Sequence, residues 1–473
     1  MLFYSKEFLF HFLPWVFLGF YFLHRWGKKE FLVGWLIAAS LFFYGDYRLE
    51  HLWLLLGLLG INYLFAFPVA EGRIRWLWSA IALDLGVLAW FKYSIVLREW
   101  PLLSHWAAEA LPLGISFYTF QMIAYQVDLY KRRAQPASPA EFAFFILFFP
   151  QLIAGPIVHY ATIFPQLRSL GERKCCETLE LGILFFVLGM AKKVLLADTF
   201  ARFADEAFTH AVGGIPSFWE AWQGLLSYSL QIYFDFCAYS EMAIGLGLLF
   251  GLRLPINFYS PYKAVDFRDF WRRWHITLSA FLRDYLYIPL GGNRRGSNRT
   301  LFNVVLVMTL AGAWHGAGWT FVFWGAAHGA LIAFNHWMAQ RGWALFGWLK
   351  PMKILGTFLA VTLLWVLFRS PSLYAAGNYY RGLFTFDGSF PVMTGDLSRW
   401  MVHWQEAVWL WIVMGLLIVW TLPNLKDALG YHLHERKLMR PGLWHGLGAG
   451  VLLWMALKTL GSGAESTFIY FAF

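Results

Sequence analysis

The chain has 473 residues, of which 59% are hydrophobic, 20% aromatic and only 14% charged, with a mean hydropathy of +0.51. Soluble domains carry about 25% charged residues, so this chain lacks the polar surface to cover a water-soluble globule, and its composition places it in lipid. The formal net charge of +10 does not mark a nucleic-acid binder, because the basic residues stand in short clusters between apolar segments.

From the N-terminus, residues 8–23 read as a retained first span rather than a cleaved signal. Lys6 and Glu7 nearly cancel, and no small-residue cleavage site follows the apolar run. The basic flank His24-Arg25-Trp26-Gly27-Lys28-Lys29 puts the next loop in the cytoplasm and the N-terminus outside. Lys131-Arg132-Arg133 and Arg294-Arg295 read as further loop charges. Further apolar runs lie near 31–45, 50–70, 76–97, 141–158, 178–200, 218–251, 301–313, 317–338, 352–369, 405–423 and 441–460. A membrane helix needs about 20 apolar residues, so some of these are too short to cross alone and others too long to be one helix; the sum is about eleven crossings. No internal repeat is visible, which disfavours an inverted-repeat transporter. The fold class is all-α, a polytopic membrane bundle with one membrane-embedded domain over 1–473, a core near 111–338 and C-terminal helices over 352–473.

Three stretches are unusual for simple spans. Residues 111–130 open on Pro112 and Gly114 and carry Ser116, Thr119, Gln121, Gln126 and Asp128. Residues 228–241 hold Gln231, Asp235, Ser240 and Glu241, and residues 262–290 mix charged with aromatic side chains. Polar groups at membrane depth are costly unless buried in protein or facing water. These stretches are therefore expected inside the bundle, as re-entrant or interfacial helices lining a cavity. Asp235 and Asp128 favour a structural pairing over a role in orienting a histidine. The cysteines are Cys175, Cys176 and Cys237; the first two are adjacent, no C-x-x-C spacing occurs, and neither disulfides nor a thiol intermediate is expected.

Histidines carry the candidate chemistry. His315 stands in Gly312-Ala313-Trp314-His315-Gly316-Ala317-Gly318, where glycines on both sides permit close approach of a ligand or another backbone. Histidine is the usual general base near neutral pH, although a histidine bonded within the core is the commoner reading of such a residue taken alone. His275 lies in Trp271-Arg272-Arg273-Trp274-His275; on one helix Trp271, Trp274 and Leu278 share a face and the arginines point to solvent, headgroups or an anionic donor. An interfacial amphipathic helix explains that segment equally well. In Arg283-Asp284-Tyr285 the two charged neighbours are expected to find separate partners, Pro289 to end the helix and Gly291-Gly292-Asn293 to turn. His315, His328 and His336 have no i, i+4 spacing, so no metal site is expected, and no G-x-S-x-G elbow occurs.

Taken together, these motifs resemble the membrane-bound O-acyltransferase (MBOAT) family, in its bacterial alginate O-acetylation branch. The pieces are Phe149-Pro150-Gln151-Leu152-Ile153-Ala154-Gly155-Pro156-Ile157, Tyr233-Phe234-Asp235-Phe236, Trp271-Arg272-Arg273-Trp274-His275, Phe281-Leu282-Arg283-Asp284-Tyr285, Trp314-His315-Gly316 and Phe468-Ile469-Tyr470-Phe471. Their order and spacing match over nearly the whole chain. His159, Cys237-Ala238 and Glu241 depart from the family's usual residues. The resemblance implies helices around a thin centre, with a cytoplasmic funnel leading to a tunnel at a catalytic histidine. His315 takes that position and His275 that of the second histidine, with Trp314, Gly316, Trp274, Arg273, Asp235, Arg283, Asp284 and Tyr285 around the tunnel.

The activity implied is acyl transfer, with acetyl as the group expected, from a cytoplasmic thioester (acetyl-CoA or an acyl carrier) to an extracytoplasmic polysaccharide such as alginate. No tightly bound cofactor and no nucleic acid is implied. The implied partners are extracytoplasmic acetyltransferase proteins, the donor's CoA or carrier protein, and lipids of the bacterial inner membrane, which the chain crosses many times. D-alanyl transfer to teichoic acid remains an alternative within the same fold. A polysaccharide or lipid transporter, or a scaffold of an export complex, explains the spans but not the ordered Trp-Arg-Arg-Trp-His and Trp-His-Gly motifs.

Overall fold

The computed structural model describes residues 1–99, 110–172, 178–342, 349–386, 388, 407–433, 441–461 and 468–469. Cys175, Cys176 and Tyr470-Phe471 lie outside them. Every regular element among the described residues is a helix. Six of these helices are long and apolar enough to cross a membrane, among them Leu49–Ala70, Phe218–Leu249 and Lys350–Arg369. A figure near eleven would need shorter or more polar helices to cross as well.

The chain forms two compact units. The first comprises Met1–Met190, Ala238–Asn257 and Leu425–Trp454. It contains α1 (Leu13–His24), α2 (Lys29–Gly45), α3 (Leu49–Ala70), α4 (Ile74–Tyr93), α5 (Ile115–Tyr130), α6 (Pro139–Leu147), α7 (Phe149–Leu152), α8 (Tyr160–Arg168) and α9 (Leu179–Ala191). Local chemistry sets several of these starts. Ser138 and Glu141 close a reciprocal capping box ahead of α6, with Pro139 in its first turn. Gly114 precedes α5 at φ +72°, where a Cβ would stand 2.5 Å from the carbonyl oxygen of Leu152, so no larger residue fits.

Of the polar residues of 111–130, Thr119, Gln121 and Gln126 are buried, whereas Ser116 and Asp128 are half-buried. In α5, Gln126 donates to the Asn62 carbonyl at 2.7 Å and to its side-chain oxygen at 3.2 Å. Asn62 in turn donates to Asp84 Oδ1 at 2.8 Å. Hydrogen bonds between buried polar side chains thus link three neighbouring helices, α3, α4 and α5.

The second unit comprises Ala191–Cys237, Phe258–Asn424 and Met455–Phe473. It holds α10 (Asp198–Gly213), the first part of α11 (Phe218–Leu249), α12 (Phe267–Arg273), α13 (Ile276–Leu282), α14 (Ser297–His315), α15 (Trp319–Gln340), α16 (Lys350–Arg369), α17 (Leu373–Phe384) and α18 (Val408–Thr421). After the short α19 (Leu425–Ala428), α20 (Leu443–Gly461), like α11, runs from one unit into the other.

Four sequence expectations change. Residues 218–251, too long a run for one membrane helix, contain one unbroken helix of 32 residues, buried from Ser227 onward. Enclosure by protein removes the bilayer thickness as a limit on its length. Residues 141–158 are not a span: Pro150 and Gly155 fall within a run that is helical only over α6 and α7. Residues 178–200 pass from α9 through a π turn, Lys192–Ala197, into α10. Residues 262–290 are a chain of short pieces, so Trp271, Trp274 and Leu278 do not share one helix face; α12 ends at Arg273 and α13 begins at Ile276, and all three side chains are nonetheless buried.

Candidate active site

The site is built on a close helix pair. Gly312 of α14 and Gly325 and Gly329 of α15 bring the two backbones together, and a Cβ on Gly325 would stand 2.3 Å from the carbonyl oxygen of Met308. This is the small-x-x-x-small packing by which membrane helices gain dispersion contact without a hydrophobic drive. The close pair also sets where α14 ends. His315 is its last residue and is buried, with the chain leaving extended at Gly316. A Cβ on Gly316 would meet the Phe321 ring at 2.3 Å, so Gly316 is the residue that leaves room for that ring beside the end of α14.

The His315 ring is walled by aromatic side chains from three directions. Trp314 lies at 4.7 Å, Trp324 of α15 at 5.2 Å and Phe368 of α16 at 5.1 Å between centroids. Trp324 also meets His328, one turn on, at 4.9 Å, and stacks on Trp365 of α16 at 5.8 Å. Trp271 of α12 completes the cluster, its indole N–H donating to His328 Nδ1 at 3.3 Å. The result is a buried imidazole–indole cluster, in which any charge developing on a substrate is screened far less than in water.

His275 occupies the break between α12 and α13. Asp266 caps α12 by accepting from Asp269 N–H, and Arg273 binds Asp269 at 2.8 Å and the Tyr259 carbonyl at 3.3 Å. Trp274 packs on Phe258 and Trp365, each at 5.1 Å. His275 itself is held at φ +44°, the left-handed region that a non-glycine residue seldom adopts. Its ring stands edge-on to Phe236 at 4.7 Å and is buried. Such backbone outliers gather at functional sites. A path of ring contacts runs from His275 through Phe236, Phe258, Trp274, Trp365 and Trp324 to His315.

Asp235 takes a different place. Lys193 Nζ lies 3.0 Å from it and 2.7 Å from Asp198, and the backbone N–H of Ile469 donates to Asp235 Oδ2 at 2.7 Å. All three charged side chains are buried. Arg283 and Asp284 bind each other at 2.7 and 2.9 Å, which corrects the expectation of separate partners: the long Arg283 side chain folds round a π turn, and half of the pair is well exposed. Tyr285 packs on Phe281 at 5.1 Å. Among the described residues no group of three His, Cys, Asp or Glu side chains is placed to hold a metal.

Sequence reasoning missed Lys193 and Asp198. Their signal was a lysine at the end of the apolar run 178–200 with an aspartate five residues on, a spacing that the i→i+5 geometry of a π turn brings to one side. It also set His328 aside as a metal ligand without finding its bond to Trp271, a contact 57 residues apart in the chain.

Residues 61–375, which contain both histidines, match the model of the MBOAT, membrane-bound O-acyltransferase family. The chain belongs to this family. As a family member it is a multi-pass membrane acyltransferase of the O-acetylating group. It is 37% identical to a peptidoglycan O-acetyltransferase of Helicobacter pylori, over 100% of this chain and 98% of that protein. It is 39% identical to a probable alginate O-acetylase, AlgI, of Pseudomonas putida, over 82% of this chain and 81% of that protein. A teichoic acid D-alanyltransferase of Streptococcus thermophilus is 30% identical over 48% of this chain and 58% of that protein.

Proposed function

We propose that this O-acyltransferase takes an acetyl group from a thioester donor on the cytoplasmic side, acetyl-CoA or an acyl carrier, and delivers it for O-acetylation of an extracytoplasmic polysaccharide. The observation that carries the reading is the buried His315 at the end of α14, walled by Trp314, Trp324 and Phe368 inside the stretch that matches the family.

His315 removes the proton of an acceptor hydroxyl as the oxygen attacks the thioester carbonyl carbon. The electron pair of the carbonyl moves to its oxygen and returns as the C–S bond breaks, and the leaving thiolate takes the proton from His315. General-base assistance of this kind is worth about 10²–10⁴-fold. His275 assists, by steadying the oxyanion or by binding the acceptor, from its constrained position against Phe236. Arg273, Arg283, Asp284 and Tyr285 lie around the substrate path, and Trp274 joins the ring contacts between the histidines.

The membrane is the bacterial inner membrane, and the partners are extracytoplasmic acetyltransferases that complete the modification. Similarity over the full length of the Helicobacter protein favours peptidoglycan as an acceptor to test beside alginate. D-alanyl transfer is the less favoured reading, because the likeness to D-alanyltransferases is at most 30% identity over about half of this chain. Purified protein in liposomes, given radiolabelled acetyl-CoA, each polymer and the extracytoplasmic acetyltransferase partner, tests the proposal. Label is expected on a polymer with the wild type and not with His315→Ala. Equal labelling by both proteins removes His315 from the mechanism.

A further inference from the structure

We propose that His328 is a further catalytic residue of this site, a hydrogen-bond donor of fixed tautomer that, with the indole N–H of Trp324, holds the carbonyl oxygen of the acyl thioester while His315 moves the proton. This rests on the acetyl-transfer function and gives its site the electrophilic half of the chemistry.

Trp271 fixes the tautomer. An indole nitrogen is a donor only, so its contact with His328 Nδ1 at 3.3 Å requires that nitrogen to accept. A neutral imidazole that accepts at Nδ1 carries its proton on Nε2. His328 is therefore a donor at Nε2 and not a base. It is completely buried, and among the described residues Nε2 has no hydrogen-bond partner. Trp324, 1% exposed, likewise has an indole N–H without a partner among the described residues. Buried donors are almost always satisfied in native proteins, and an exception calls for a water, a ligand or a catalytic role.

The two donors belong to rings in contact, 4.9 Å apart, and the Trp324 ring also touches His315 at 5.2 Å. A thioester bound where His315 can serve its attacking nucleophile presents its carbonyl within one or two ring widths of these donors. Attack on that carbonyl places negative charge on its oxygen, and preorganised N–H groups in a dry site are what stabilise it. The ring of Phe270 lies parallel to His328 at 6.1 Å and helps hold its plane.

The test uses the full chain in lipid nanodiscs with radiolabelled acetyl-CoA, the extracytoplasmic acetyltransferase partner and the acceptor polymer. His328→Phe is expected to lower kcat by about 10²–10³, the loss seen when one oxyanion donor is removed, with KM little changed. His328→Gln, whose amide nitrogen reaches the Nε2 position, is expected to recover most of that loss, which a packing role would not predict. Nitrogen-15 histidine NMR is expected to show His328 protonated at Nε2 alone in the wild type and a tautomer mixture in Trp271→Phe. Wild-type kcat in His328→Phe, or a wild-type His328 protonated at Nδ1, overturns the proposal. If the wild type labels no polymer, the acetyl-transfer function falls, and the tautomer measurement still decides whether His328 is a fixed donor.

Discussion

At the scale of single residues, burial decides what each charged or polar side chain is for. Lys193, Asp198 and Asp235 form a desolvated cluster in which each charge depends on the others. Removing one partner from such a set leaves an uncompensated buried charge and costs about 3–5 kcal/mol. Lys193→Met is therefore expected to lower the unfolding temperature in detergent substantially, and an unchanged melting curve would show that the cluster carries little. The Arg283–Asp284 pair is the contrast. Arg283 is largely exposed, and pairs of that kind contribute about 0–1 kcal/mol. Arg283→Ala is expected to leave the melting temperature nearly unchanged, so any large loss of transfer in that variant would report on substrate and not on stability. For His315→Ala the expected signature is membrane insertion retained and transfer lost by at least about 10²-fold.

At the scale of elements, the α14–α15 pair is the part that everything else at the site leans on. Its glycines permit backbone contact that any side chain would prevent. Gly325→Leu is expected to push the helices apart, displace His315 and Trp324 together, and lower both the melting temperature and transfer. Retained activity with a lowered melting temperature would separate packing from positioning. The break between α12 and α13 shows why residues 262–290 were hard to read. The spacing of Trp271, Trp274 and Leu278 suits a continuous helix, and all three are buried. Yet the chain turns at His275, because Trp274 and His275 pack on different neighbours, Trp365 and Phe236. No local signal in Trp-His-Ile marks that turn.

At the scale of the whole molecule, the apolar surface that composition demanded is on display. Trp15, Trp53, Trp78, Trp444 and Trp454 are among many large apolar side chains that remain exposed. In water such a surface would aggregate; in a bilayer it is the solvent-facing surface. The chain is expected to stay in the membrane pellet after an alkaline carbonate wash. The loop carrying Lys28 lies between α1 and α2, outside both. A cysteine placed at position 28 is expected to react with a membrane-impermeant reagent only in inside-out vesicles, following the positive-inside rule. Labelling from the outside would invert the topology read from the N-terminal flank.

The lipid solvent, the helical class and the ordered motifs are legible in the residues alone. These depend on composition and on spacing along the chain, which need no knowledge of neighbours in space. His315 also stands out through the glycines around it, because a residue without a side chain marks a close approach wherever it occurs. Which polar groups meet is settled only by packing. Lys193 reaches Asp235 across 42 positions of sequence, Trp271 reaches His328 across 57, and the long helix over 218–249 is admissible only because protein encloses it. Such contacts form when two elements pack, and burial then sets their worth, so the identities of the partners are legible in the chain while the pairing is not.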